Sequence, residues 1–239
     1  MGFIFLAYLC IFVVAAADPL PTPHLSLPCG APLTGFSGRN GSSHFYGIRF
    51  AQAPQGALRW QYALPLPSDC YWSGSLNATV SGFECVQGSG YGTEDCLTLD
   101  IITPPGPGPF PVLFWVYGGG NLYGSTQSYS NLTNLAVDMK VVVVASNYRL
   151  GGLGFLALKE LSLRSPLRTS GNYGLSDLVS ALEWTQRNIA SFGGDPTAVT
   201  LIGQSSGGTN IFGLLAIAAT SGRGNPIFRI VRYSEKKIL

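Results

Sequence analysis

Charge is scarce in this chain. Of its 239 residues only 11% are Asp, Glu, Lys or Arg, against about 25% in an average globular protein. With 46% apolar and 12% aromatic residues beside it, that scarcity excludes an intrinsically disordered chain. No stripe of Lys and Arg with interleaved aromatics is present, so nucleic acid is not an expected partner. The net charge of +2 belongs to the end of the chain, where Arg223, Arg229, Arg232, Lys236 and Lys237 face a single Glu235; residues 18–220 are slightly acidic.

Histidine is nearly absent, with only His24 and His44. Neither lies near a cysteine pair, and no cysteine interval has zinc-site spacing, so neither a metal nor a cofactor is expected. Long hydrophobic runs are missing too. The strongest, Phe3 to Val14, is twelve residues, too short to cross a bilayer unaided. Followed by Ala15-Ala16-Ala17, it reads as a secretory signal over residues 1–17, although its start carries no Lys or Arg. The sequons at Asn40, Asn77 and Asn131 agree with an extracellular route. Cys10 would leave with the signal. Cys29, Cys70, Cys85 and Cys96 then form an even set, which in an oxidising compartment suggests two disulfides with three possible connectivities.

What is present is a sequence of buried strands. Pro104 to Pro111 (PPGPGPFP) must be an exposed connection, because proline cannot donate to a sheet ladder. Val112–Tyr117 (VLFWVY), Val141–Asn147 (VVVVASN) and the shorter Val199–Gly203 (VTLIG) follow. They are apolar on both faces, as buried parallel strands require. Between the second and third lies a helical pattern from Leu175 to Phe192. Its apolar stripe is Leu175, Leu178, Val179, Leu182 and Ile189, and Gly193-Gly194 ends it. Strands joined by crossover helices make an α/β open sheet.

Two features converge at one edge of such a sheet. Gly203-Gln204-Ser205-Ser206-Gly207 fits G-x-S-x-G, placed directly after a strand and before a helical run from Ser206 to Ala219. That is the context of a nucleophile elbow, in which a serine sits on a tight strand-to-helix turn. Gly118-Gly119-Gly120 follows the first buried strand, and unhindered backbone N–H groups there suit a developing oxyanion. Ser205 is thus the candidate nucleophile, with Gly119, Gly120 and Ser206 as candidate oxyanion donors.

On these residues the chain resembles the type-B carboxylesterases, which include cholinesterase-like esterases and lipases. The resemblance is carried in order by FYGIRFAQAPQGALRW (45–60), EDCLTLDIITP (94–104), WVYGGG (115–120), NYRLGGLGFLAL (147–158) and the block 171–208 around GQSSGG. It implies the α/β-hydrolase fold over the domain at residues 18–228. It also implies hydrolysis of a small carboxylic ester through an acyl-serine. It further implies disulfides Cys85–Cys96 and Cys29–Cys70, and ion pairs Arg59–Glu94 and Arg149–Asp177. Three departures stand out. Asn121 occupies a position where the family usually has an aromatic, which widens or polarises the acyl end. Ser206 replaces the usual alanine but keeps the N–H. The ten-residue loop between Cys85 and Cys96 has no tryptophan, which disfavours a choline ester.

The family's order of catalytic residues is serine, carboxylate, histidine. After Ser205 there is one acidic residue, Glu235, and no histidine. The expectation is a product truncated after its elbow, ending in a divergent tail at residues 229–239, and weakly active or inactive alone. The alternatives are a non-catalytic cholinesterase-like adhesion module, which the intact serine argues against, and a product that does not fold, because half an open sheet leaves unpaired edges.

Overall fold

The computed structural model describes residues 22–88, 90–129, 131–220 and 228–233; the expected signal segment and most of the basic tail lie outside them. The apolar runs become the centre of a seven-stranded sheet. Its strands are β3 (Phe36–Ser37), β4 (Ser43–Arg49), β6 (Thr98–Thr103), β7 (Phe110–Val116), β8 (Val142–Ser146), β9 (Gly194–Gln204) and β10 (Phe228–Tyr233), in the order β10-β9-β7-β8-β6-β4-β3. The pairs β10–β9, β9–β7 and β7–β8 are parallel, and β8–β6, β6–β4 and β4–β3 antiparallel. A small second sheet joins β1 (His24–Ser26), β2 (Pro32–Thr34) and β5 (Leu76–Asn77).

The expected third strand is longer than VTLIG, reaching back to Gly194. The proline-rich connection also ends earlier than its last proline: β7 begins at Phe110, and Pro111 lies inside it. The ladder tolerates this because the register jumps from Phe110↔Gly194 to Val112↔Val199, leaving Pro111 unpaired and exposed as at a bulge.

Among the described residues there are five α-helices: α1 (Leu132–Met139), α2 (Gly151–Phe155), α3 (Lys159–Arg164), α4 (Tyr173–Asn188) and α5 (Ser206–Thr220). The helix expected to end at Phe192 ends as α at Asn188 and finishes as a 3-10 turn, Ile189–Phe192, capped by Gly193 at φ 76°, the left-handed stop that glycine accepts. Its buried surface is wider than the apolar stripe. Asp177, Ala181, Trp184, Thr185 and Asn188 are buried as well, because α4 packs on β8 and β9 while also meeting α5 and α2. Phe45 on β4 meets Phe192, and Leu175 packs under Gly213 of α5. These contacts put α4 and α5 on one face and leave α1 to cover the other, over β6 and β8.

Two disulfides are formed, Cys29–Cys70 and Cys85–Cys96. Both ion pairs implied by the family likeness are present. Arg149 and Asp177 are 3% and 0% exposed, and they fulfil the condition that lets a buried charge survive: full pairing. The Arg149 backbone N–H and Nε–H both donate to Asp177 Oδ2, at 2.9 and 2.8 Å, and Nη2–H donates to Oδ1 at 2.6 Å. Arg59–Glu94 is half-exposed, and Arg49–Asp95 and Arg187–Asp69 add two surface pairs.

Candidate active site

At the C-terminal ends of β7 and β9 two bends meet. Ser205 joins β9 to α5 with φ 54°, a left-handed conformation that costs a non-glycine residue about 1–3 kcal/mol. Its side chain is exposed. The flanking glycines are required by close approach. A Cβ on Gly207 would lie 2.1 Å from the Val116 carbonyl oxygen, and one on Gly203 would lie 2.5 Å from the Gly207 carbonyl carbon. The bend is therefore pressed against β7 by backbone alone. A Cβ on Gly118 would fall 2.9 Å from Ser205 Cβ, so the glycine trio and the serine are neighbours.

Gly119 and Gly120 also take positive φ, 111° and 64°. Among the described residues neither backbone N–H donates to another group, while the Gly119 carbonyl accepts from the Leu122 and Tyr123 N–H groups. Ser206 is the first residue of α5, and a first-turn N–H has no acceptor within its helix. The candidate donors thus remain available beside an accessible hydroxyl, an arrangement that can place a carbonyl oxygen under backbone amides while a serine attacks its carbon.

A hydrogen-bonded underlayer holds this glycine loop, and most of it has no signature in the sequence. The Asn121 side chain exchanges two bonds with that of Asn210 on α5, at 3.1 and 2.8 Å. The Asn121 N–H donates to Ser206 Oγ at 3.2 Å, and its carbonyl accepts from the Gly151 N–H at 2.6 Å. The Asn121 amide, expected from the sequence to widen or polarise an acyl end, is spent on a clamp, and the Ser206 hydroxyl is a second tie. Tyr148 donates to the Tyr117 carbonyl at 2.8 Å, and the two rings stack at 4.5 Å. Burial pushes both phenols up, Tyr117 well above its ordinary value and Tyr148 also raised, so both stay protonated donors. Tyr129 donates to Gln204 Oε1 at 2.9 Å and accepts from the Gly118 N–H at 3.3 Å, bracing the residue before the serine.

Neither histidine can serve Ser205. His24 is an exposed residue of β1 bonded to Thr34. His44 is buried in β4 between Ser42 and Tyr46, and β7, β8 and β6 separate β4 from β9, roughly 20 Å at about 4.8 Å per strand. Among the described residues no three His, Cys, Asp or Glu side chains are grouped as a metal would need, and no helix is long and apolar enough to cross a membrane.

A crossover sheet with a serine bend between an inner parallel strand and the helix that follows it defines an α/β-hydrolase. The family model of the carboxylesterase family matches residues 22–225, and the chain belongs to that family. It is 44% identical over 188 residues to a fumonisin B1 esterase of Sphingopyxis macrogoltabida, covering 74% of this chain and 34% of the relative. It is 41% identical over 183 residues to the human bile salt-activated lipase, covering 70% and 23%. Its fold superposes on a Geobacillus stearothermophilus carboxylesterase with a TM-score of 0.76 and 36% identity, over 87% of this chain and 42% of that one. The chain thus spans about a third of the length of the curated relatives it matches.

Proposed function

We propose that this chain carries the nucleophile and oxyanion cradle of a secreted carboxylic ester hydrolase. The reaction runs through an acyl-serine on Ser205, with the N–H groups of Gly119, Gly120 and Ser206 receiving the oxyanion. The observation that carries the proposal is the exposed serine held at positive φ against the glycine trio. Leu122 and Tyr123, both exposed beside the trio, offer apolar surface to a small-molecule ester. Secretion is supported by the two disulfides, which persist in oxidising compartments, and by the exposure of all three sequon asparagines, Asn40, Asn77 and Asn131.

These 239 residues alone are nearly inactive in this reading. Attack by serine needs a base that takes the Oγ proton and returns it to the leaving group. No histidine follows Ser205, and His24 and His44 are elsewhere in the fold. Loss of the base costs on the order of a million-fold in turnover and leaves only the weak catalysis of the oxyanion site. The intact, strained serine argues against an adhesion module that has lost its catalytic ancestry.

The test is incubation of the chain with p-nitrophenyl acetate, followed by intact-mass and peptide analysis. Slow acetylation confined to Ser205 and abolished by Ser205→Ala is expected. Acetylation that survives this substitution would refute the nucleophile, and sustained turnover at several per second would refute the inactivity.

A further inference from the structure

On the sheet face covered by α1, away from Ser205, there is a cavity of about 250 Å³ whose wall includes Tyr46, Asp100, Thr126, Tyr129 and Val143. Strand alternation explains its composition. Asp100 pairs with Ala145, and Ile102 with Val143, so all four point to the same side, opposite to Ile101 and Val144. Asp100 is the anomaly in this apolar row. It is only 7% exposed, yet among the described residues it belongs to none of the four ion pairs.

Its carboxylate is oriented, not neutralised. Oδ1 accepts from the Gly47 N–H at 2.8 Å, and Oδ2 accepts from the hydroxyls of Ser81 and Thr126, each at 2.7 Å. Burial pushes the carboxyl up despite these three bonds, so the charge remains under-compensated. The two hydroxyls spend their protons on Asp100 and keep oxygen lone pairs to offer. Tyr46 and Tyr129 add aromatic residues to the wall, a residue type that attracts a cation. Ile102, Val143 and Leu132 add an aliphatic lining.

We propose that this cavity is a binding site for a small primary alkylammonium compound, its ammonium group on Asp100 and its alkyl part along Ile102 and Val143. Three N–H donors of an ammonium match one carboxylate and two hydroxyl oxygens. A bare metal ion is a poorer match, because the wall holds a single carboxylate among rings and alkyl groups. The site is independent of the chemistry at Ser205. It is linked to that bend through Tyr129, a residue of the cavity wall whose hydroxyl braces Gln204.

The experiment titrates n-pentylammonium chloride and the uncharged 1-pentanol into the full chain, followed by calorimetry and by the methyl NMR shifts of Ile102, Val143 and Thr126. Pentylammonium is expected to bind at least tenfold more tightly than pentanol, moving those methyls. Asp100→Asn should abolish the preference, and Thr133→Phe, which puts a bulky ring into the cavity wall from α1, should abolish binding of both. Equal binding of the two compounds to the native chain, no binding of pentylammonium, or a preference that survives Asp100→Asn would overturn the site. If Asp100→Asn does not fold, the Thr133→Phe variant decides: retained pentylammonium binding with unchanged methyl shifts overturns it.

Discussion

The two bends that meet at the site are held in place by opposite means. The serine bend after β9 is fixed by exclusion: Gly203 and Gly207 let backbone pass where any side chain would collide, and among the described residues no side chain bonds to Ser205 itself. The glycine loop after β7 is fixed by attachment, through Asn121, Asn210, Tyr148, Tyr129 and, one step further out, the Arg149–Asp177 pair. Exclusion gives stiffness with few residues and leaves the hydroxyl uncovered. Attachment uses the N–H groups of Gly118 and Asn121 on either side and leaves those of Gly119 and Gly120 without an acceptor among the described residues. The difference predicts that the two bends fail differently.

The largest effect is expected far from both bends. Asp177→Ala leaves the Arg149 guanidinium buried without its partner, which costs about 3–5 kcal/mol. Arg149 begins the segment whose Gly151 N–H holds the Asn121 carbonyl, so the loss should reach the glycine loop before the serine bend. Chemical denaturation gives the stability, and hydrogen exchange at the Gly119 to Asn121 amides against those of Ser206 to Gly208 gives the order. Equal exchange at both bends would break the comparison.

Gly207→Ala attacks the exclusion side. The added Cβ meets the Val116 carbonyl oxygen at 2.1 Å, a clash with backbone that no rotamer relieves, and overpacking of this kind costs about 3 kcal/mol at the upper end of its usual range. A loss below about 0.5 kcal/mol in thermal or urea unfolding would show that β7 and β9 can part without penalty.

The two sides were also unequally legible in the sequence. β7 and β8 are buried on both faces, so VLFWV and VVVAS announce themselves as runs without alternation. The serine bend is local, five consecutive residues between a strand and a helix, and its glycines can be read directly. The beginning of β9 was hidden because Asp195, Pro196 and Thr197 look like a loop, and β9 is set there by its pairing with Phe110. The Asn121–Asn210 clamp joins positions 89 apart and leaves no periodic trace; only the oddity of Asn121 after the glycines hinted at it. Asp100 sits in an alternating strand, TLDIIT, where a carboxylate ordinarily marks the solvent side. Its burial depends on α1 and the Ser81 segment arriving over it.

Asn210→Ala tests attachment at a single point. It removes both amide bonds to Asn121, leaving the half-buried Nδ2 without its acceptor while Oδ1 keeps the Tyr148 hydroxyl at 3.3 Å, which costs about 1–2 kcal/mol. Crucially, the loss should not be additive with Asn121→Ala, since each substitution removes the same two bonds. A double variant that loses the full sum of the two singles would mean the residues act separately and that the clamp is not what holds the loop.

The smallest effect should have the opposite sign. Ser205→Gly removes a side chain from a residue at φ 54°, where the left-handed backbone costs a non-glycine residue about 1–3 kcal/mol. Glycine adopts that conformation freely but loses more chain entropy on folding, an offset of about 0.5–1 kcal/mol. The net expectation is a chain more stable by about 1 kcal/mol in urea denaturation, with Ser205 acetylation lost. The gain would mean that the serine is kept at this bend against the preference of its backbone. A loss of stability would mean instead that the Ser205 side chain helps to anchor the bend, and the division between exclusion and attachment would fail at the residue where it matters most.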